Sequence, residues 1–126
     1  MTLRDDALPF DHMSEAANRA MQYAVGSSPD SLRSDPMRAD AILRVIGVLG
    51  EAASRVRPEV RARFPALPWK QMKGMRNALV HAYDRIDWSI VWETVTVHLP
   101  AMMPSLGEAQ RTLASEQPPP PAEILE

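Results

Sequence analysis

Cysteine is absent from the 126-residue chain, which excludes a disulfide framework, a thiolate zinc site, an iron–sulfur cluster and a cysteine nucleophile together. Glycine is scarce, with five residues, and no Asn-Gly or Asp-Gly pair joins two alternating segments, so β-hairpins have little to turn on. No apolar run approaches the roughly 18 residues of a membrane span. Met1-Thr2-Leu3-Arg4-Asp5-Asp6 lacks the basic-then-apolar layout of a secretory leader, and the expectation is a cytoplasmic protein with no membrane partner. The chain also contains no His-Glu-x-x-His, no glycine-rich phosphate loop, no Gly-x-Ser-x-Gly and no calcium loop. His12, His81 and His98 are too scattered to read as a ligand set, so no metal and no cofactor is expected.

What remains is 45% hydrophobic and 24% charged, a globular composition with enough chain for one core. Apolar residues recur at three- and four-residue steps nearly throughout, which predicts an all-α protein, an antiparallel up-and-down helical bundle over residues 1–115. Phe10, Met13, Ala17, Ala20 and Ala24 mark a first helix over about 9–25, ended by Gly26. After a loop with room for one short turn, Asp35 caps a second long helix reaching about Val56, with Ala41, Val45, Val48, Leu49, Ala52 and Val56 facing the core. Small Gly50 and Ala53 permit a close neighbour there. A short helix follows Pro58, then an extended, stiff connection from Phe64 to Trp69, because each proline disfavours a helical predecessor. Trp69 opens a helix to about Tyr83, and Asp87 caps a last helix whose buried stripe is Trp88, Val91, Val95, Leu99, Met102 and Leu106. Pro100 and Pro104 should bend that helix without stopping it. Residues 116–126, with the run Pro118 to Pro121, form a flexible tail. The eight methionines read as core fillers.

The net charge of -2 does not suit a bulk nucleic-acid binder, but the cations are unevenly spread. Arg55, Arg57, Arg61, Arg63, Lys70, Lys73 and Arg76 stand against one acid, Glu59. Such a run is either a solvated face or a patch for phosphates. On a helical wheel, Met75, Ala78, Leu79 and Ala82 share one arc of about 100°, while Arg76, Asn77, His81, Tyr83 and Asp84 lie away from it. Asn77 and His81, four apart, can touch; Arg76 and Tyr83, seven apart, are nearly eclipsed. Arg76 and His81 are about 140° apart, so an ideal helix aims them at one point only if the arginine reaches round or a second chain contributes.

Arg76-Asn77-Ala78-Leu79-Val80-His81-Ala82-Tyr83 has the form Arg-x4-His-x-Tyr and resembles the signature of the HepT-type toxins of the HEPN superfamily. Gly50-Glu51-Ala52 is similar to that family's Gly-Glu-Ala helix, and Pro65-Ala66-Leu67-Pro68-Trp69 to its Pro-x-x-Pro-Trp connection. Gly74-Met75-Arg76-Asn77, Ile86-Asp87, Val91-Trp92-Glu93 and Leu99-Pro100 extend the likeness, which spans roughly Asp11 to Leu106. Asp84 departs from it, standing where many members carry an aromatic residue.

The resemblance implies a HEPN bundle that forms a homodimer, whose two motifs face a shared cleft and cut RNA without metal. Arg76 and His81 are then catalytic. Asn77, Glu51 and Lys73 support the site or bind substrate, Glu51 by pairing with an arginine across the cleft. The resemblance further implies a type VII toxin–antitoxin system with an MntA-like nucleotidyltransferase antitoxin that in some systems transfers AMP to the motif tyrosine, here Tyr83. Two other readings of the same residues stay open: a non-catalytic helical module that binds a nucleotidyltransferase or a nucleotide, and a purely structural dimer.

Overall fold

The structure, a computed structural model, describes residues 3–81 and 85–117, with only the backbone described at 3–4 and 76–81. Its elements are α1 (Leu3–Ala24), α2 (Pro29–Arg33), α3 (Pro36–Ser54), α4 (Pro58–Arg61), α5 (Trp69–His81), α6 (Trp88–Glu93), a π-helical segment (Thr94–His98) and α7 (Leu99–Glu116). No strand occurs among the described residues. The expected all-α bundle is what the chain forms. No described helix is long and apolar enough to cross a membrane.

All five stripe residues expected on α1 are buried, with Phe10, Met13, Ala17 and Ala20 fully so. The helix starts at Leu3, well before Pro9. Asp5 and Asp6 occupy the first turn, where the helix dipole favours acids. Pro9 lies inside the helix, which passes through it. Arg57, just beyond α3, fixes the same turn: its Nε donates to Asp6 Oδ1 and its Nη2 to Asp6 Oδ2, both at 2.8 Å. Those bonds hold the Asp6 carboxyl below the usual carboxylate range, against the opposing effect of burial.

α3 begins as its sequence predicts, with Pro36 in the first turn and the Asp35 carboxylate accepting the Arg38 N–H at 3.3 Å. Its core face needs correction. Ile42, Leu43, Ile46 and Leu49 are buried along with Val45 and Ala52, whereas Val48 is 40% exposed and Ala41 half-buried. α3 packs against α1 on one side and α5 on another, so it buries a wide band, including Gly50 and Ala53, where a wheel drawn for one neighbour gives a narrow stripe. The helix stops at Ser54, yet Val56 is still buried.

The connection from Phe64 to Trp69 also differs from expectation, being a tight turn instead of an extended strut. Leu67 N–H donates to the Phe64 carbonyl at 3.2 Å, and the Trp69 indole Nε1 donates to that same carbonyl at 2.9 Å. Phe10 meets Phe64 and Trp69 edge-on, with ring centroids 5.5 and 5.8 Å apart. The two prolines stiffen the segment, and the shared carbonyl folds it back.

Asp87 caps α6, its Oδ1 accepting from Ser89 and Ile90. Val91, Val95, Leu99, Met102 and Leu106 are buried as expected; Trp88 is half-buried, and Ala109 and Leu113 prolong the stripe. The helix expected as one run from Trp88 is divided by the π segment, which ends two residues before Pro100. Leu99 N–H bonds back to Thr94, and Pro100 then enters α7 where its missing donor is accommodated by the wider turn. Pro104 lies within α7. Of the methionines, Met13, Met72 and Met102 are buried while Met37 is exposed, so filling is the role of some and not of all. Gln117 leaves α7 with extended backbone, and residues 118–126, most of the expected tail, lie outside the described residues.

Side-chain ties give the helix directions. Arg38, at the start of α3, donates to the Val25 carbonyl at the end of α1, while Arg57 past the end of α3 reaches Asp6 at the start of α1. Gln110 near the end of α7 donates to Asp11 on the early part of α1 at 2.9 Å, and Arg63 pairs with Glu116. α3 and α7 therefore both run antiparallel to α1, and α5 departs from the end where Phe10, Phe64 and Trp69 meet.

Phe10→Ala should cost about 3–5 kcal/mol, the range for emptying a fully buried aromatic site, measured by urea unfolding. Asp6 yields a pH signature. Its folded pKa is depressed, so its contribution is fully present above the ordinary aspartate value of about 4 and is lost as pH falls through the folded value. The stability gap between the parent chain and Asp6→Asn should be constant near neutral pH and shrink below about pH 4. A gap that does not change with pH would show that the carboxylate is not held by Arg57.

Candidate functional site

α5 carries the motif, and the Trp69 anchor sets where it runs. Met72 is fully buried on α5 and Met75 half-buried, while Lys70, Gln71, Lys73 and Gly74 are exposed. Position 76 falls one turn beyond buried Met72. Positions 77 and 81 fall one and two turns beyond exposed Lys73. Residues 76 and 81 are about 7.5 Å apart along the axis. The backbone of Arg76, Asn77 and His81 is helical, which keeps the wheel separation of about 140° between positions 76 and 81. Their side chains, and Tyr83 and Asp84 altogether, lie outside the described residues.

Glu51 sits on α3, the helix against which α5 packs. It is half-buried, with Oε1 4.0 Å from Arg55 Nη2 on its own helix. Lys73 is exposed on α5 itself.

The basic stretch divides into two kinds of cation. Arg57 is held by Asp6 and Glu59, and Arg63 by Glu116, with its guanidinium also 5.5 Å from the Phe64 ring centroid. Both guanidinium pKa values are raised, chiefly by the hydrogen bond each donates to a carboxylate. These two arginines tie elements together. Arg61, Lys70 and Lys73 make no ion pair among the described residues, which leaves them available to an anionic ligand. The pairing acids, Asp6 and Glu116, come from the two ends of the chain, so no local count of charge can foresee the division.

Among the described residues no three His, Asp or Glu side chains gather as a metal site. His98 stands 3.6 Å from Glu93 beside the π segment, and His12 lies on α1 at a groove shared with α3. That groove, with Arg44 at its centre, is a feature the sequence reading missed. Its signal was the spacing of Arg44, Glu51 and Arg55 along one outer line of α3, visible once the core face is correctly placed.

Past exposed Lys73, α5 carries an arginine, an amide and an imidazole, residue types that supply a proton carrier and a fixed positive charge. Histidine titrates near neutrality and arginine stays charged with a planar fork for two phosphate oxygens.

A family model described as Ribonuclease HepT-like matches residues 13–108. The chain is 30% identical over 100 residues to a Methanocaldococcus jannaschii protein named "Putative RNase MJ1380", covering 79% of this chain and 92% of that one. It is 28% identical over 99 residues to "Putative RNase TTE0752" of Caldanaerobacter subterraneus, covering 79% and 88%. A third relative, "Probable ribonuclease HepT" of Thermococcus cleftensis, is 32% identical over 62 residues, 49% of this chain and 56% of that one. No solved structure matches the chain significantly.

Proposed function

From the premise that the chain belongs to the Ribonuclease HepT-like family, we propose that it is the toxin of a type VII toxin–antitoxin system, a metal-independent endoribonuclease acting as a homodimer in the cytoplasm. The observation that carries the reading is the extent of the match, residues 13–108, which takes in α5 with the Arg-x4-His positions and the helices that hold it.

RNA contains its own nucleophile. His81 takes the proton of a 2′-hydroxyl, the 2′ oxygen bonds to the adjacent phosphorus, and the bond from phosphorus to the 5′ oxygen breaks. The protonated His81 gives that proton to the leaving 5′ oxygen, and the upstream strand ends in a 2′,3′-cyclic phosphate. Arg76 stabilises the charge that builds on the non-bridging oxygens. Asn77, one turn before His81, orients the imidazole or holds a phosphate oxygen. A homodimer answers the 140° separation, because the partner's copy of α5 brings its arginine to the cleft from the opposite side. Glu51 pairs with an arginine across that cleft, and Lys73 guides the strand.

Control falls to a nucleotidyltransferase antitoxin. The Tyr83 phenol oxygen attacks the α-phosphorus of ATP and pyrophosphate leaves, so AMP is added two residues past His81. Its bulk fills the cleft and its charge repels RNA.

The purified protein should cut single-stranded RNA in excess EDTA, and both Arg76→Ala and His81→Ala should abolish cleavage while leaving the thermal midpoint near that of the parent chain. Intact mass after co-expression with the antitoxin should show an AMP adduct lost in Tyr83→Phe. A folded, unmodified protein that cuts no RNA would favour a non-catalytic binding module, and activity that requires a divalent ion would overturn the mechanism.

A further inference from the structure

Two cavities, of about 160 and 350 Å³, open on the outer side of α1 and α3 and share His12, Arg44 and Val48, so they form one groove. Of the acids on its rim, Glu15 pairs with Arg19 at 2.8 Å, and Glu51 lies 4.0 Å from Arg55. Arg44 is exposed and makes no ion pair among the described residues, which leaves the groove with an unmatched guanidinium at its centre. From Arg44 to Arg55 the stripe runs about 16 Å along α3, longer than one phosphate needs.

Gly47 lies in the same stripe. Glycine inside a helix costs about 1 kcal/mol relative to alanine, and a Cβ built at Gly47 meets nothing within 4 Å. No neighbour within the chain needs the missing side chain. What a bare position on a groove floor offers is close approach of something from outside, beside a charged fork and the exposed face of Val48.

We infer that this groove, which reaches the proposed cleft at Glu51, binds the phosphodiester backbone of the RNA strand beyond the nucleotides at the cleaved bond, with Arg44 on a phosphate and the strand lying against Gly47 and Val48. The inference rests on the ribonuclease reading for the identity of the strand. An unmatched guanidinium suits phosphate, which its planar fork grips through two oxygens, and the small apolar floor suits a ribose or base face.

The test is fluorescence anisotropy of a labelled single-stranded RNA with the full chain carrying His81→Ala, so that the strand stays whole, adding Arg44→Gln or Gly47→Ala. Each should raise Kd several-fold. Arg44→Gln should reduce the slope of log Kd against log salt by about 0.7, one single-strand phosphate contact. Gly47→Ala should raise the melting temperature while weakening binding, a pairing that a merely structural glycine would not give. In the otherwise unchanged chain, Arg44→Gln should raise KM and leave kcat at saturating RNA as it was. Unchanged Kd and slope in both variants would overturn the inference, as would a change of oligomer mass with RNA affinity intact, which would make the groove a protein interface. If the parent chain cuts RNA but Arg44→Gln binds as tightly, the groove falls and the nuclease stands. If nothing is cut yet binding depends on Arg44, the nuclease falls and the groove stands.

Discussion

The Phe64 carbonyl accepts from both the Leu67 amide and the Trp69 indole, and the Trp69 ring stands edge-on to Phe10 in the core. The position of α5 follows from that knot. Its first residue is tied to α1, so the helix leaves from one defined end of the bundle and lies along α3. Met72 then enters the core, and the register of every later position is set. An indole with a hydrogen bond to Phe64 and an edge-on contact with Phe10 adds a directional constraint to the apolar packing of Met72. Residues 76, 77 and 81 inherit their placement from a contact near the opposite end of the helix.

The same end of the molecule gathers the structural charge. Arg57 and Arg63 flank α4 and reach Asp6 on α1 and Glu116 on α7, so α1 and α7 are both tied to the segment around α4 beside the aromatic knot. Those ties consume cations that a linear reading assigns to a nucleic-acid patch. What remains positive is displaced to Arg61, Lys70 and Lys73 near α5, and to Arg44 in the groove along α3. A molecule with net charge -2 can thus present local positive surface to an anionic strand, with the salt sensitivity that such modest patches bring.

Where a residue's role depends on its immediate sequence neighbours, the sequence was readable. Asp35 and Asp87 cap helices as their spacing implies, and the stripes of α1 and α7 are buried almost residue for residue. Where the role depends on a distant partner, it was not. α1 begins early because Arg57 holds Asp6, Val48 faces outward because α3 is flanked by both α1 and α5, and the Pro-x-x-Pro segment turns back because the Trp69 indole claims the Phe64 carbonyl that precedes it. Of the candidate site, the helix and the order of residues along it were legible. The helix alone does not aim Arg76 and His81 at one point, since they lie about 140° apart on it.

In the proposed reaction the RNA supplies its own nucleophile, with α5 moving protons and holding charge. The direct test is an RNA oligonucleotide carrying one 2′-deoxy nucleotide at the cleaved position, incubated with the protein in EDTA beside the all-ribose strand. The ribose strand should yield 2′,3′-cyclic phosphate ends, and the deoxy position should stay uncut. A cut at the deoxy position would mean that water or a protein group attacks the phosphorus, and would contradict the proposed reaction.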